Sequence, residues 1–406
     1  MKIGKSTILT SIVILFISFS NVSFAQENIK RIQLEDAIAQ ALDANLNFKN
    51  TALEVEKSEL DQQKSFDAKT GVFVENEDFS PLEPNGLWKI GISQDLAWPG
   101  FYKARKEFLK KTSQMVLEQR EDARKQLIRD VSQNYYQLIY LEARQSFFLQ
   151  LDSTHQKLYE SAKLRVKTGE AAGLEQMAAE TKWQENKTIM LQNEQDLAMA
   201  AQNFSVLLNY NTLILPIKAS LQKISTIQYP DSVGEHPLVK IQQKTIEIAE
   251  ANTKMEEQAK LPDFSGRAFS QKLWGQRNPV TGISITVNAP LFSNKYYQNK
   301  VKVAALETAI EKQELKQLKL TLTAQEGNAK KEIIKNEKQL QFYEQSGLKQ
   351  SEGIMKAANL AYQSGEISYA DLIQFLSQSI DIKINYLTAL NAYNQSVIQY
   401  QYYHSN

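Results

Sequence analysis

Two stretches, "GISQDLAWPGF" (Gly91–Phe101) and "GISITVNAPLF" (Gly282–Phe292), agree at Gly, Ile, Ser, Pro and Phe with a constant offset. In the first, Trp88, Ile90 and Ile92 alternate with Lys89, Gly91 and Ser93. In the second, Ile283, Ile285 and Val287 alternate with Ser284, Thr286 and Asn288. Period-two alternation is the pattern of a strand with one apolar and one polar face. Each phrase is preceded by another extended segment, "GVFVENEDF" (71–79) or "DFSGRAFSQ" (263–271), and by a polar turn. Each then runs into proline, Pro99 or Pro290, a shared exit from strand to helix. The strand regions are expected near 71–97 and 263–289. Four such strands do not close a barrel alone, and strand edges cannot be left open in lipid. Either they pack on a soluble core or several copies share one barrel.

Proline placement maps the rest. The nine prolines fall into three clusters, and Phe101–Thr168 contains neither proline nor glycine. Proline breaks helix interiors, so this stretch predicts one helix of about 100 Å. Ser293–Asn406 is free of proline. There Tyr369, Ile373, Leu376, Ile380, Ile384, Leu387 and Leu390 recur at three and four, one helical face. Phe375, Ile382, Tyr386 and Tyr393 lie off that stripe, which predicts neighbours on two sides. Met177 and Met355, near the ends of these helices, are assigned to core packing.

The chain also repeats. "LRVKTGEAAGLEQM" (164–177) matches "LAYQSGEISYADLI" (360–373), aligning Gly169 with Gly365 as turns between helices. The organisation is therefore a first repeat over 26–210, a linker over 211–235 and a second repeat over 236–406. Residues 1–25 read as a signal peptide: Lys2 and Lys5, then "ILTSIVILFISF", then the small-x-small site Ser23-Phe24-Ala25. No other apolar run is long enough to span a bilayer as a helix.

Composition removes several classes of function. Basic residues number 47 and acidic 46, which points away from a nucleic-acid partner. The absence of cysteine excludes disulfides, thiolate metal sites and lipidation at cysteine. The three histidines, His155, His236 and His404, are isolated in sequence, and no phosphate loop or nucleophile elbow occurs. No enzyme, cofactor or resident metal is expected. The aromatics Phe73, Phe79, Trp88, Trp98, Phe264, Phe269, Trp274 and Phe292 are assigned to a membrane-interface girdle.

On the opening "LEDAIAQALDANLNFKN", the paired strands and the two Gly-Glu turns between long helices, the chain resembles the TolC-like outer-membrane efflux channels. "ISQDLAWPGFYKARKE" is similar to the heavy-metal branch, the CusC- and CzcC-like proteins. The resemblance implies a mainly α fold with a small β part: two repeats of long helices with inserted β-hairpins. It implies a homotrimer with a twelve-stranded transmembrane β-barrel in outer-membrane lipid, above a periplasmic α-barrel. The implied partners are a periplasmic adaptor and an inner-membrane pump, the implied cargo heavy-metal cations among others. On this reading Ile90, Ile92, Ile283 and Ile285 face lipid.

The resemblance also places a periplasmic gate at the repeat turns. Asp371, six after Gly365, matches a family Asp, while Gln374 stands where a second acid is usual. Tyr362 matches a family tyrosine, and Glu175 stands for its Asp partner. The family's nearby arginine is replaced by Ile367, a departure from the family's closing network. The rival reading is a soluble exported coiled-coil adaptor or scaffold, in which the acids are ordinary solvated helix ends.

Overall fold

The computed structural model describes residues 30–76, 87–217, 220–225, 236–273, 277–290 and 294–404. The expected signal peptide, the start of the first repeat and the girdle candidates Phe79, Trp274 and Phe292 lie outside them. The elements run β1 (Lys30–Ile32), α1 (Leu34–Ala44), α2 (Leu46–Gln63), β2 (Lys69–Asn76), β3 (Leu87–Leu96), α3 (Pro99–Lys167) and α4 (Gly173–Leu207). They continue with β4 (Ile214–Pro216), α5 (Pro237–Ala259), β5 (Asp263–Leu273), β6 (Val280–Asn288), α6 (Asn294–Phe342), α7 (Leu348–Gln363) and α8 (Tyr369–His404). A single π-helical turn, Tyr343–Gly347, joins α6 to α7.

The long helix α3 starts at Pro99, whose fixed φ suits a first helical position and whose missing N–H is not needed there. It ends where Gly169 takes φ 78°. Thr168, Gly169 and Glu170 close a Schellman motif: Gly169 N–H donates to Val166 O (3.2 Å) and Glu170 N–H to Arg165 O (2.8 Å). The second repeat uses the same device. Gly365 also has φ 78°, and Gly365 N–H and Glu366 N–H donate to Tyr362 O (3.1 Å) and Ala361 O (2.9 Å).

Helices pack side by side. On the strand side of the molecule the order is α2, α3, α5, α6; beyond the middle it is α4, α3, α8, then α6 and α7. The short helices meet near the middle. Asn45 caps α2 by accepting from Phe48 N–H and donates Nδ2–H to Leu207 O at the end of α4, each at 3.0 Å. His236 caps α5, and its ring meets the Tyr402 ring near the end of α8 at 5.2 Å.

Equivalent contacts show the two-fold repeat directly. Ser58 of α2 bonds Ser113 of α3 at 3.1 Å, and Thr253 of α5 bonds Thr308 of α6 at 3.3 Å, both pairs 55 residues apart. Along the α3–α4 seam, Asn186 and Asn193 donate to Phe148 O (3.3 Å) and Leu141 O (3.1 Å). Both partners are one heptad apart, so these buried amides fix the register of the antiparallel pair.

The core sits around α1, where Ala37 and Ala41 approach α3 closely and pack with Val131, Leu138, Phe204 and Ile214. The stretch expected as a linker contributes to it: β4 pairs in parallel with β1, and Leu221 and Ile224 pack on the α6–α8 cluster. Apolar side chains in that stretch, Leu213 to Leu215, had a core to join. The α8 stripe is also turned from expectation. Over its first half the buried row is Tyr369, Leu372, Leu376 and Ser379, with Ile373, Ile380, Ile384 and Leu387 half-buried, while Leu390 is buried as expected. Ser379 replaces an aliphatic because its hydroxyl pairs with that of Ser351 at 2.8 Å, bringing α7 and α8 close. Met355 packs as expected on the turn cluster, whereas Met177 is exposed.

Candidate functional site

Two regions at opposite ends of α3 carry the functional geometry, separated by about 100 Å of helix. At one end β2, β3, β5 and β6 form one antiparallel sheet in that order. Among the described residues β2 pairs only with β3 and β6 only with β5, so both outer edges are free.

Register sorts the side chains by face. Ile92 stands opposite Val72 on one side and Ala268 on the other, and Ala268 opposite Ile283. Ile90 and Ile285 fall on this same face. The four isoleucines are 56%, 57%, 82% and 75% exposed for Ile90, Ile92, Ile283 and Ile285. Val72, Val74 and Val287 join them in the open. Aliphatic residues this exposed, contiguous and in phase form a surface that water does not stabilise.

The opposite face is polar. It carries Ser93, Arg267 and Ser284 in one row and Glu75, Lys89 and Gln271 in another. Between them runs Phe73, Gly91, Phe269, Gly282. This corrects the expected girdle for Phe73 and Phe269, whose register puts them on the polar face. Trp88 and Phe264 do lie on the isoleucine face, at its two ends, and Trp98 stacks on Phe264 at 5.8 Å. Trp88 and Leu96, which stands opposite Phe264, are eight residues apart, about 26 Å along a strand.

At the far end, the two repeat turns come together. Tyr362 of α7 donates its hydroxyl to Glu175 Oε1 of α4 at 2.5 Å. Arg165 of α3 donates to the same carboxylate oxygen at 2.9 Å and to the Tyr362 hydroxyl. Burial and then the Glu175 hydrogen bond push Tyr362 up to about 12, so it stays a neutral donor at any physiological pH. Tyr369 packs beside it, rings 5.9 Å apart, and burial raises its titration too.

Ile367 stands at the family's arginine position, and the cation beside this acid is Arg165, from the first repeat. The signal was present in the aligned turns, where Arg165 stands opposite Ala361 and Val166 opposite Tyr362. One turn contributes the cation and acid, the other the phenol. Such complementarity across two turns is invisible when each is read alone.

Asp371 is not part of this network. Its Oδ2 accepts from Ser368 N–H (3.1 Å) and Ser368 Oγ–H (2.6 Å), and its own N–H donates to Ser368 Oγ (3.2 Å). This is a reciprocal capping box at the start of α8. The Ser368 side chain and then its N–H hold the Asp371 carboxyl below the usual range. Glu175 occupies the equivalent position on α4, but the cap there is Ala172, which has no hydroxyl. The longer carboxylate is thereby left to reach Arg165 and Tyr362.

No protein-family model matches the sequence, and no characterised protein matches it by sequence. Solved structures do match. CusC, described for its transmembrane channel formation, superposes with a TM-score of 0.80 over 91% of each chain at 14% identity. The Campylobacter jejuni outer-membrane channel CmeC gives 0.79 at 13% identity, covering 91% of this chain and 85% of its own. The chain has the TolC-like fold. The open-state Neisseria gonorrhoeae outer-membrane channel MtrE, at 0.77 and 15% identity over 91% and 88%, shares it. CusC is matched no better than its neighbours warrant, so the likeness does not set its branch apart. Among the described residues no helix of this chain is long and apolar enough to cross a membrane.

Proposed function

We propose that this chain is the outer-membrane exit duct of an efflux system, acting as a homotrimer and making or breaking no bond. One observation carries the reading: an open four-stranded sheet with two free edges and a contiguous exposed aliphatic face. In hydrocarbon every backbone group needs an internal partner, so such a sheet is stable there only if further copies close it. Strands of eight to eleven residues suit a tilted crossing. The copy number of three, giving twelve strands, comes from the sequence resemblance. So do the periplasmic position of the helices and the partners, an adaptor and an inner-membrane pump.

In this arrangement Ile90, Ile92, Ile283 and Ile285 face lipid, and the repeat turns form the periplasmic mouth. Arg165, Glu175 and Tyr362 hold that mouth closed by tying one repeat to the other, and three copies of Asp371 make an acidic ring. Heavy-metal cations enter as a cargo class on the resemblance alone. Selectivity resides mainly in the pump, since a wide aqueous tunnel touches its contents rarely.

The test is location and assembly. The protein should fractionate with outer membranes, migrate in mild detergent as a trimer, and form channels in planar bilayers. Recovery as a soluble periplasmic monomer overturns the duct and favours the scaffold reading. Comparing a deletion strain's sensitivity to heavy-metal salts with its sensitivity to organic antibiotics then sorts the cargo.

A further inference from the structure

The repeated phrase that marks the two strand pairs contains a glycine, Gly91 or Gly282, whose role is visible only across the sheet. Both flank Phe269: Gly91 on β3 and Gly282 on β6 are its register partners, and Phe73 on β2 is the other partner of Gly91. The rings fold onto the glycines. A Cβ at Gly91 would lie 2.8 Å from Phe73 Cζ and 2.4 Å from Ala268 O. A Cβ at Gly282 would lie 2.7 Å from Phe269 Cζ and 2.8 Å from Cε2. Real Cβ atoms do not approach so closely, so each ring occupies the space a side chain would need.

The Phe73 ring is held from a second direction. Arg267 reaches from β5 across β3 to ion-pair with Glu75 at 3.0 Å, its guanidinium 5.1 Å from the Phe73 ring centre. The span is open because Gly91, between them, has no side chain. Both rings are half-buried on a sheet face whose opposite side leaves its aliphatics in the open. They lie along the wall rather than standing out from it.

We infer that Phe73 and Phe269, seated on Gly91 and Gly282, form an aromatic belt that sets the bore of the β-barrel. The inference rests on the trimeric duct reading, which turns the polar face inward and puts six rings on the lumen wall, three copies of each at its own level. Seated rings keep the lumen wide. A ring lifted off its glycine narrows it, and a ring removed widens it. The belt makes the barrel a size filter in its own right, at the opposite end from the repeat turns.

The experiment measures single-channel conductance in planar bilayers together with the largest polyethylene glycol that still lowers it. Gly282→Ala should reduce both, because the Phe269 ring must rise into the lumen. Phe269→Ala should raise both. The double variant Gly282→Ala/Phe269→Ala should behave as Phe269→Ala alone, since the glycine matters only through the ring. Phe269→Leu, which keeps an apolar side chain without a ring, reports on folding and should fall on the Phe269→Ala side of the parent. Parent channels that conduct identically to Phe269→Ala and Gly282→Ala overturn the belt and leave the duct standing. A Gly282→Ala loss that persists in the double variant also overturns it, by showing backbone strain instead. A parent protein that forms no channel overturns the duct, and the belt with it.

Discussion

The Tyr362 hydroxyl, on the second repeat, donates to the Glu175 carboxylate, on the first, at 2.5 Å across 187 residues of sequence. With Arg165 on the same oxygen, this contact ties the helix pair α3–α4 to the pair α7–α8 at their turn end. Charge-assisted hydrogen bonds are the strong ones, and this acid receives two. Tyr362→Phe removes one donor and leaves the Arg165–Glu175 pair. Glu175→Gln weakens both. In planar bilayers each variant is expected to spend more time at higher conductance than the parent, Glu175→Gln the more so. Unchanged traces in both would assign the network to packing alone.

Asp371 and Ser368 offer a separable test. If the acidic ring operates, Asp371→Asn lowers cation selectivity and weakens block by multivalent cations, whereas Ser368→Ala, which disturbs the cap alone, leaves both. Reversal-potential measurements in a salt gradient read this directly. Equal, small effects of the two variants mean that Asp371 is only the acid of its capping box.

The apolar phase of the sheet predicts a sharp contrast. Lysine at Ile283 or Ile92 is expected to cost about 2–4 kcal/mol near the bilayer midplane. Lysine at Ser284 or Ser93, on the opposite face, should be tolerated. Trimer yield and its resistance to heat in detergent distinguish them. Equal yields for the two sets contradict the proposed orientation.

Gly169 and Gly365 test the turns. Both have φ 78° with open space where a Cβ would go, so the cost of alanine is conformational and not steric. It should be about 1–2 kcal/mol for each, and the two should add, since they close separate turns. Thermal unfolding of the single and double variants checks this.

His236 predicts a pH dependence. Burial, and then the nearby Lys125 charge, lower its titration from 6.5 to about 4. Between those values the unfolded chain binds a proton that the folded chain refuses, so stability falls as pH drops through this window. The loss is up to about 3 kcal/mol. Asp122, pushed up by burial, titrates in the opposing sense, so the comparison must be against a variant. His236→Asn keeps a capping acceptor and removes the titration. Its melting temperature should fall less than the parent's between pH 7 and 4.5.

Much of the architecture was legible because its signals are local. Period-two alternation around Ile90, Ile92, Ile283 and Ile285 is a property of adjacent residues, and register in the sheet preserves it. Pro99 and the glycines at 169 and 365 act on their own backbone torsions, so helix starts and stops follow from single residues. The site was legible only in part. Tyr362, Glu175 and Asp371 were named through a resemblance, and Arg165 was missed.

By itself, the sequence determined the two repeats, the strand phases and the length of the helices, each a matter of spacing along one covalent chain. Tertiary structure alone decided that Phe73 and Phe269 fold onto glycines of neighbouring strands, that 214–216 joins β1 as a strand, and that Arg165 completes the turn network. The reason is physical. These contacts join groups far apart in sequence, so they depend on how strands register and helices pack, which no local torsion or periodicity specifies.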